Sequence, residues 1–162
     1  MIKVVVSACL LGSPVRYDGR DKKSDHPVLQ RWLEEGRIVS VCPEMLGGLP
    51  TPRPTSEIVA GTRRVTTPAG QDVTGAFDTG ARIAAEQAGA HHIRVAILKE
   101  GSPSCGSSYV YDGTFTRTRV AGEGVTAGLL RERGLAVFSE EELDAAEEYV
   151  SSLERDELNG LR

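Results

Sequence analysis

Four short apolar runs lie too far apart to pair as hairpins, and this spacing constrains the fold more than any other feature. They are IKVVVS (2–7), RIVSV (37–41), IRVAIL (93–98) and LAVF (135–138). Nearly continuous runs of this length read as strands covered on both faces. Helical stretches lie between them. In HPVLQRWLEEG (26–36), Pro27 suits the first helical position. Val28, Leu29, Trp32 and Leu33 share one face, and Gly36 suits a left-handed stop. Residues 74–89 place Phe77, Ala81, Ala84, Ala85 and Ala88 on one side. Residues 125–133 do the same with Val125, Leu129 and Leu130, ahead of Gly134. Ser139 and Glu142 form a capping box for an acidic final helix.

This alternation predicts an α/β fold, a mostly parallel, Rossmann-like sheet flanked by helices. A chain of 162 residues suffices for one core. No linker divides it: residues 1–142 form the body, and residues 143–162 are the C-terminal helix and tail of the same domain. Within the ambiguous stretch 58–72, residues 62–67 and 71–73 are expected to form a small hairpin. YDG occurs at 17–19 and at 111–113, and both copies read as Asp-Gly turns.

A net charge of −4 argues against a nucleic-acid polymer as partner, since that needs a basic stripe. It leaves a single base open as a ligand. No apolar run approaches the ~20 residues of a membrane span. VSAC (6–9) imitates a lipidation box, but the stretch before it is too short for a secretory signal. A cytoplasmic address is the expectation. In that compartment three cysteines do not make a disulfide framework.

Each cysteine follows a predicted strand. Cys9 lies in VSACLLGSPVRYDG, Cys42 in VSVCPEMLGGLPTPRPTSE and Cys105 in AILKEGSPSCGSSYVYDG, each in what reads as an exposed turn. The carboxyl ends of parallel strands share one edge, where ligands bind, so the three thiols are expected to converge there. A structural zinc site wants four ligands, usually in Cys-x-x-Cys pairs, and the chain has no such pair. Three thiolates on a cubane iron–sulfur cluster leave one iron open as a Lewis acid. Three thiols that merely pack beside the core fit the same spacing.

The stretches VSACLLGSPVRYDG, CPEMLGGLPTPRPTSEI and KEGSPSCGSSYVYDGTF together resemble the short bacterial desulfidases related to thiouracil desulfidase. The resemblance runs from Val4 to about Glu142. It implies a [4Fe-4S] cluster on Cys9, Cys42 and Cys105. It implies non-redox removal of sulfur from a small thiolated heterocycle such as 2-thiouracil, the sulfur binding the open iron and leaving as hydrogen sulfide. It also implies an acidic residue and a serine beside the cluster, which map by motif to Glu44 and Ser102.

Residue chemistry fits these assignments. Glu44, two residues after a cysteine, suits a general base facing the crevice, in surroundings of low dielectric. Ser102 suits positioning of water or relay of a proton, with Ser104 its rival. The plainer readings are a helix-start carboxylate for Glu44 and a turn residue for Ser102. Arg53 and Glu57 are candidates to read a base edge, or else pair with each other at the surface. Arg16 and Asp18 are candidate substrate contacts or turn-fixing residues. AGEGVTAG (121–128) hints weakly at phosphate binding at a helix start. His26, His91 and His92 lie apart from the cysteines and read as surface or capping residues. Two other functions remain open on sequence: a hydrolase using Cys105 or zinc, and a non-catalytic cluster protein handling sulfur.

Overall fold

The computed structural model describes residues 1–160. In chain order the elements are β1 (Val4–Ser7), α1 (Pro27–Glu34), β2 (Ile38–Val41), α2 (Pro43–Leu46), β3 (Glu57–Ile58), β4 (Val65–Thr66), α3 (Thr74–Ala90), β5 (Val95–Leu98), β6 (Tyr109–Tyr111), β7 (Arg119–Ala121), α4 (Val125–Glu132), β8 (Ala136–Ser139) and α5 (Leu143–Gly160). A 3-10 turn, Ala8–Leu11, follows β1 directly.

The four apolar runs form one sheet in the order β2-β1-β5-β8, with every neighbouring pair parallel. Alternate strand residues face opposite layers. Val4, Val6, Val95 and Ile97 pack with Val28, Leu29 and Trp32 of α1 and with Leu143, Ala146 and Val150 of α5. Val5, Ala96 and Leu98 pack on the other side with Ala85, Ala88, Ala127 and Leu130. The central strands β1 and β5 are buried at every position, as continuous apolar runs require.

The edges depart from the expectation of double coverage. β2 is an edge strand with Ser40 exposed, and β8 is mostly half-buried. Leu33 is exposed as well. At about 100° per residue it falls at the flank of a stripe centred on Val28, Leu29 and Trp32. The helix ends form as their residues dictate. His26 Nδ1 accepts a bond from the Val28 amide at 3.1 Å, and Gly36 takes φ 69°. Glu142 Oε1 accepts from the Ser139 amide at 3.0 Å, and Ser139 Oγ from the Glu141 amide at 3.1 Å. The small hairpin around 62–73 forms only as a bridge between Thr66 and Asp72, because β4 pairs mainly with β3. The β6–β7 hairpin was not legible in advance.

Two glycines let α2 press onto α3 backbone to backbone. A Cβ on Gly47 would overlap the Ala76 carbonyl, and one on Gly80 would overlap the Pro43 carbonyl. Gly80→Ala therefore forces the helices apart and destabilises the protein by about 1–3 kcal/mol. Gly89, on the same helix with open space around it, is the contrast. Gly89→Ala stabilises by about 0.5–1 kcal/mol. Urea midpoints of the two variants should move in opposite directions.

Candidate active site

The strands β2, β1 and β5 are neighbours, and the chain reverses its direction of travel across the sheet between β1 and β5. Such a switch point opens a crevice at the carboxyl ends. Cys9 stands in the 3-10 turn after β1. Cys42 is the N-cap residue of α2 with Pro43 behind it. Cys105 stands in the irregular segment after β5. The segments are turns as expected, but the side chains are not exposed: Cys9 and Cys105 are buried and Cys42 is half-buried. The residues beside them are buried as well, Ala8 and Leu10 next to Cys9, Pro43 next to Cys42, and Ser104 next to Cys105.

The three thiols influence one another electrostatically, Cys9 and Cys42 both acting on Cys105. Burial pushes the Cys9 thiol up to about 11, with Lys99 opposing. Burial pushes Cys105 up to about 12, with the Ser7 hydroxyl opposing. Cys42 is raised too, again mainly by burial. These thiols keep their protons at neutral pH until a metal centre displaces them. Among the described residues no three His, Cys, Asp or Glu side chains are grouped closely enough to hold one metal ion. A single zinc does not fit that spacing. A cubane cluster sets a different requirement, since it takes each thiolate on a different iron.

Glu44 lies in the first turn of α2, and its charge reaches both Cys42 and Cys105. Arg53 holds it. Arg53 Nη2 donates to Glu44 Oε2 at 2.9 Å and to the Val15 carbonyl at 2.9 Å. Its Nη1 donates to the Pro50 carbonyl at 3.1 Å and to Thr51 Oγ1 at 3.0 Å. The Arg53 side chain is only 3% exposed. The expected Arg53–Glu57 surface pair is therefore absent. Glu57 Oε1 instead accepts from the amides of Gly113 at 2.9 Å and Phe115 at 3.2 Å, pinning the second Asp-Gly turn. Asp18 is exposed and accepts from the Arg20 amide at 3.0 Å, fixing the first. Arg16 lies over the Tyr17 ring at 5.7 Å, and its charge reaches Cys9.

Ser102 Oγ accepts from the amides of Ser104 and Cys105, both at 3.0 Å. Both of its lone pairs are engaged, which leaves its O–H free to donate. Ser104 is buried, and its hydroxyl lies 2.7 Å from Thr126 Oγ1. The start of α4 closes onto the same segment. The Val125 amide donates to the Pro103 carbonyl at 2.9 Å, and the Thr126 and Ala127 amides to the Ser104 carbonyl at 2.8 and 3.2 Å. The phosphate reading of residues 121–128 is thus overturned: these amides are already spent on the Cys105 segment. Gly124 is glycine because a Cβ would overlap the Ser104 carbonyl.

Sequence reasoning missed Ser7, Lys99 and Glu100. Glu100 is 4% exposed and accepts six hydrogen bonds from residues 101–109. Its signal was a carboxylate directly after a buried strand, facing a serine-rich stretch. His91 and His92 are exposed, far from any such role.

Gly124→Ala should push the Cys105 segment off α4 and lower stability by about 1–3 kcal/mol, read as a urea midpoint. Glu100 also makes stability depend on acidity. Burial alone would raise its carboxyl, but bonds from Ser108 and Ser107 hold it down from 4.5 to about 2. A depressed carboxyl contributes stability above its unfolded value and loses it as pH falls toward the folded one. The contribution, about 3 kcal/mol by linkage, is complete above pH 4.5 and fades as pH falls to about 2. Glu100→Gln removes the titration, so the stability gap between wild type and variant should narrow across that interval.

Comparison with known proteins agrees with this geometry. A family model described as 2-thiouracil desulfurase matches residues 4–142. A Bacillus subtilis protein, YbbK, is 40% identical over 149 residues, 87% of this chain and 97% of its own. A solved structure of the [4Fe-4S]-dependent thiouracil desulfidase TudS is 49% identical, with a TM-score of 0.90, covering 93% of this chain and 99% of that one. By sequence over residues 4–142 and by fold over 93% of its length, this chain belongs to the 2-thiouracil desulfurase family.

Proposed function

We propose that this protein replaces the sulfur of a thiolated nucleobase such as 2-thiouracil by oxygen, using a [4Fe-4S] cluster held by Cys9, Cys42 and Cys105. The observation that carries the reading is the meeting of three thiols at the ends of adjacent parallel strands, with the Glu44 carboxylate among them. The reaction balances without a redox partner: the ring thione and one water give the ring carbonyl and hydrogen sulfide. When bound, the cluster supplies a Lewis-acidic iron with affinity for sulfur, at the one corner three thiolates leave without a protein ligand.

The chain's own residues do the rest. Glu44 takes a proton from the water that attacks the ring carbon. Arg53 grips Oε2, so Oε1 is the oxygen that takes the proton. Ser102, with its lone pairs filled, donates its O–H to the base as charge shifts during attack. Ser104 is tied to Thr126 and has no such freedom. Arg16, near Cys9 at the crevice, is the better substrate contact. Arg53, Glu57 and Asp18 use their polar atoms within the protein. Buried Cys105, with its thiol near 12, is a poor free nucleophile, which disfavours the thiol-hydrolase alternative. No helix among the described residues is long and apolar enough to cross a membrane. A small diffusible substrate met in the cytoplasm fits the reading.

The test is anaerobic reconstitution followed by a sulfide-release assay on 2-thiouracil. About four iron and four sulfide per chain are expected, with uracil and sulfide formed in equal amounts. Cys9→Ser, Cys42→Ser and Cys105→Ser should each lose cluster and turnover. Glu44→Ala should keep the cluster and lose turnover by roughly 10²–10⁴-fold. A full cluster with no sulfide from any thiobase would instead favour a sulfur-handling carrier. Normal turnover in Glu44→Ala would remove that residue from the chemistry.

A further inference from the structure

The segment 101–108, which carries Cys105, has neither helix nor strand to hold it. α4 grips one side through the carbonyls of Pro103 and Ser104. The other side is gathered by Glu100. Its Oε1 accepts from the amides of Ser107 at 2.8 Å, Ser108 at 3.0 Å, and Gly101 and Tyr109 at 3.4 Å. Its Oε2 accepts from the hydroxyls of Ser107 at 2.9 Å and Ser108 at 2.7 Å. Among the described residues no cationic side chain pairs with this carboxylate. Lys99 Nζ goes to the Glu100 carbonyl at 2.8 Å and to Glu140 Oε2 at 3.3 Å. A carboxylate buried without a cation costs free energy unless a full set of donors surrounds it. Here every donor comes from one segment, and the ring they close has Cys105 inside it.

We propose that Glu100 is the positioning residue for Cys105: its carboxylate ties the entrance of the segment to its exit and so sets the Cys105 sulfur before any metal is bound. The inference rests on reading Cys105 as a cluster ligand, but its test is made on the metal-free protein. None of the six bonds to the Glu100 carboxylate comes from a cysteine. It acts through the Ser107 and Ser108 backbone on a thiol that must meet its iron from a fixed direction.

The measurement is the alkylation rate of each cysteine in the full metal-free chain, resolved by peptide mass. Glu100→Ala should speed alkylation of Cys105 about tenfold or more, by opening that segment locally, with Cys9 and Cys42 unchanged. Glu100→Gln should fall between wild type and Glu100→Ala, because it keeps acceptors for these donors but loses the charge that strengthens the bonds. Its amide oxygen still accepts from the backbone, and the serine hydroxyls can turn to accept from its NH₂. Should Glu100→Ala fail to fold, Ser108→Ala removes one donor and should move Cys105 alone, to a smaller extent. In the reconstituted protein, Glu100→Ala should release iron to a chelator faster than Glu100→Gln. Equal acceleration at all three cysteines, or none at Cys105, would overturn the proposal. A Cys105-selective effect in a chain whose wild type takes up no iron would leave the positioning role standing and sink the cluster reading. A loaded wild type with no selective effect would do the reverse.

Discussion

The parallel pairing of β1 with β2 on one side and β5 on the other is the constraint on which the rest depends. Its register runs from Val4 opposite Ile38 to Ser7 opposite Val41, and sets Val5 and Val6 opposite Ala96 and Ile97. The three strands therefore end together, and the residues that follow them meet. Cys42 leaves β2 directly, Cys9 leaves β1 within one turn, and Cys105 returns to the same edge through a longer segment. Were β2 antiparallel, Cys42 would stand at the opposite edge of the sheet. The buried valines of β1 and the apolar positions of β5 thus serve function indirectly: they fix a direction, and the direction gathers the thiols.

That crevice holds charged and polar groups away from water, and it stabilises each differently. Glu44 has a buried arginine. Glu100 has, among the described residues, six donors and no cation. At the thiols burial outweighs the few groups that oppose it, such as the Ser7 hydroxyl at Cys105 and Lys99 at Cys9, so they keep their protons. The contrast matches the roles proposed for each group. A carboxylate that moves a proton needs one oxygen held and one free. A carboxylate that organises backbone needs both oxygens saturated. A thiol that binds metal keeps its proton until the metal takes its place.

Much of the fold was legible because period and composition act locally. The β-branched runs, Pro27 with Gly36, and the Ser139–Glu142 box each determine their own neighbourhood and appear where expected. The departures have a common cause. Leu33 and β2 were expected inside because they are apolar, yet whether an apolar position is covered depends on which element lies outside it. The glycines of residues 121–128 suggested an anion site, yet the partner of those amides is a carbonyl-lined segment distant in sequence. Arg53 and Glu57 were candidates either to read a base edge or to pair with each other at the surface, being close in the chain. The fold carries Arg53 to Glu44, where a buried guanidinium can satisfy four acceptors.

The sequence by itself determined the α/β class, the strand and helix order, and the placing of one cysteine after each of three strands. Those properties follow from side-chain periodicity and turn chemistry within a few residues. Only the tertiary structure decided that the thiols are buried, that Arg53 belongs to Glu44, that α4 clasps the Cys105 segment, and that Glu100 closes it. These contacts join residues far apart in the chain, and a hydrogen bond to a backbone amide leaves no mark on the identity of the residue that donates it.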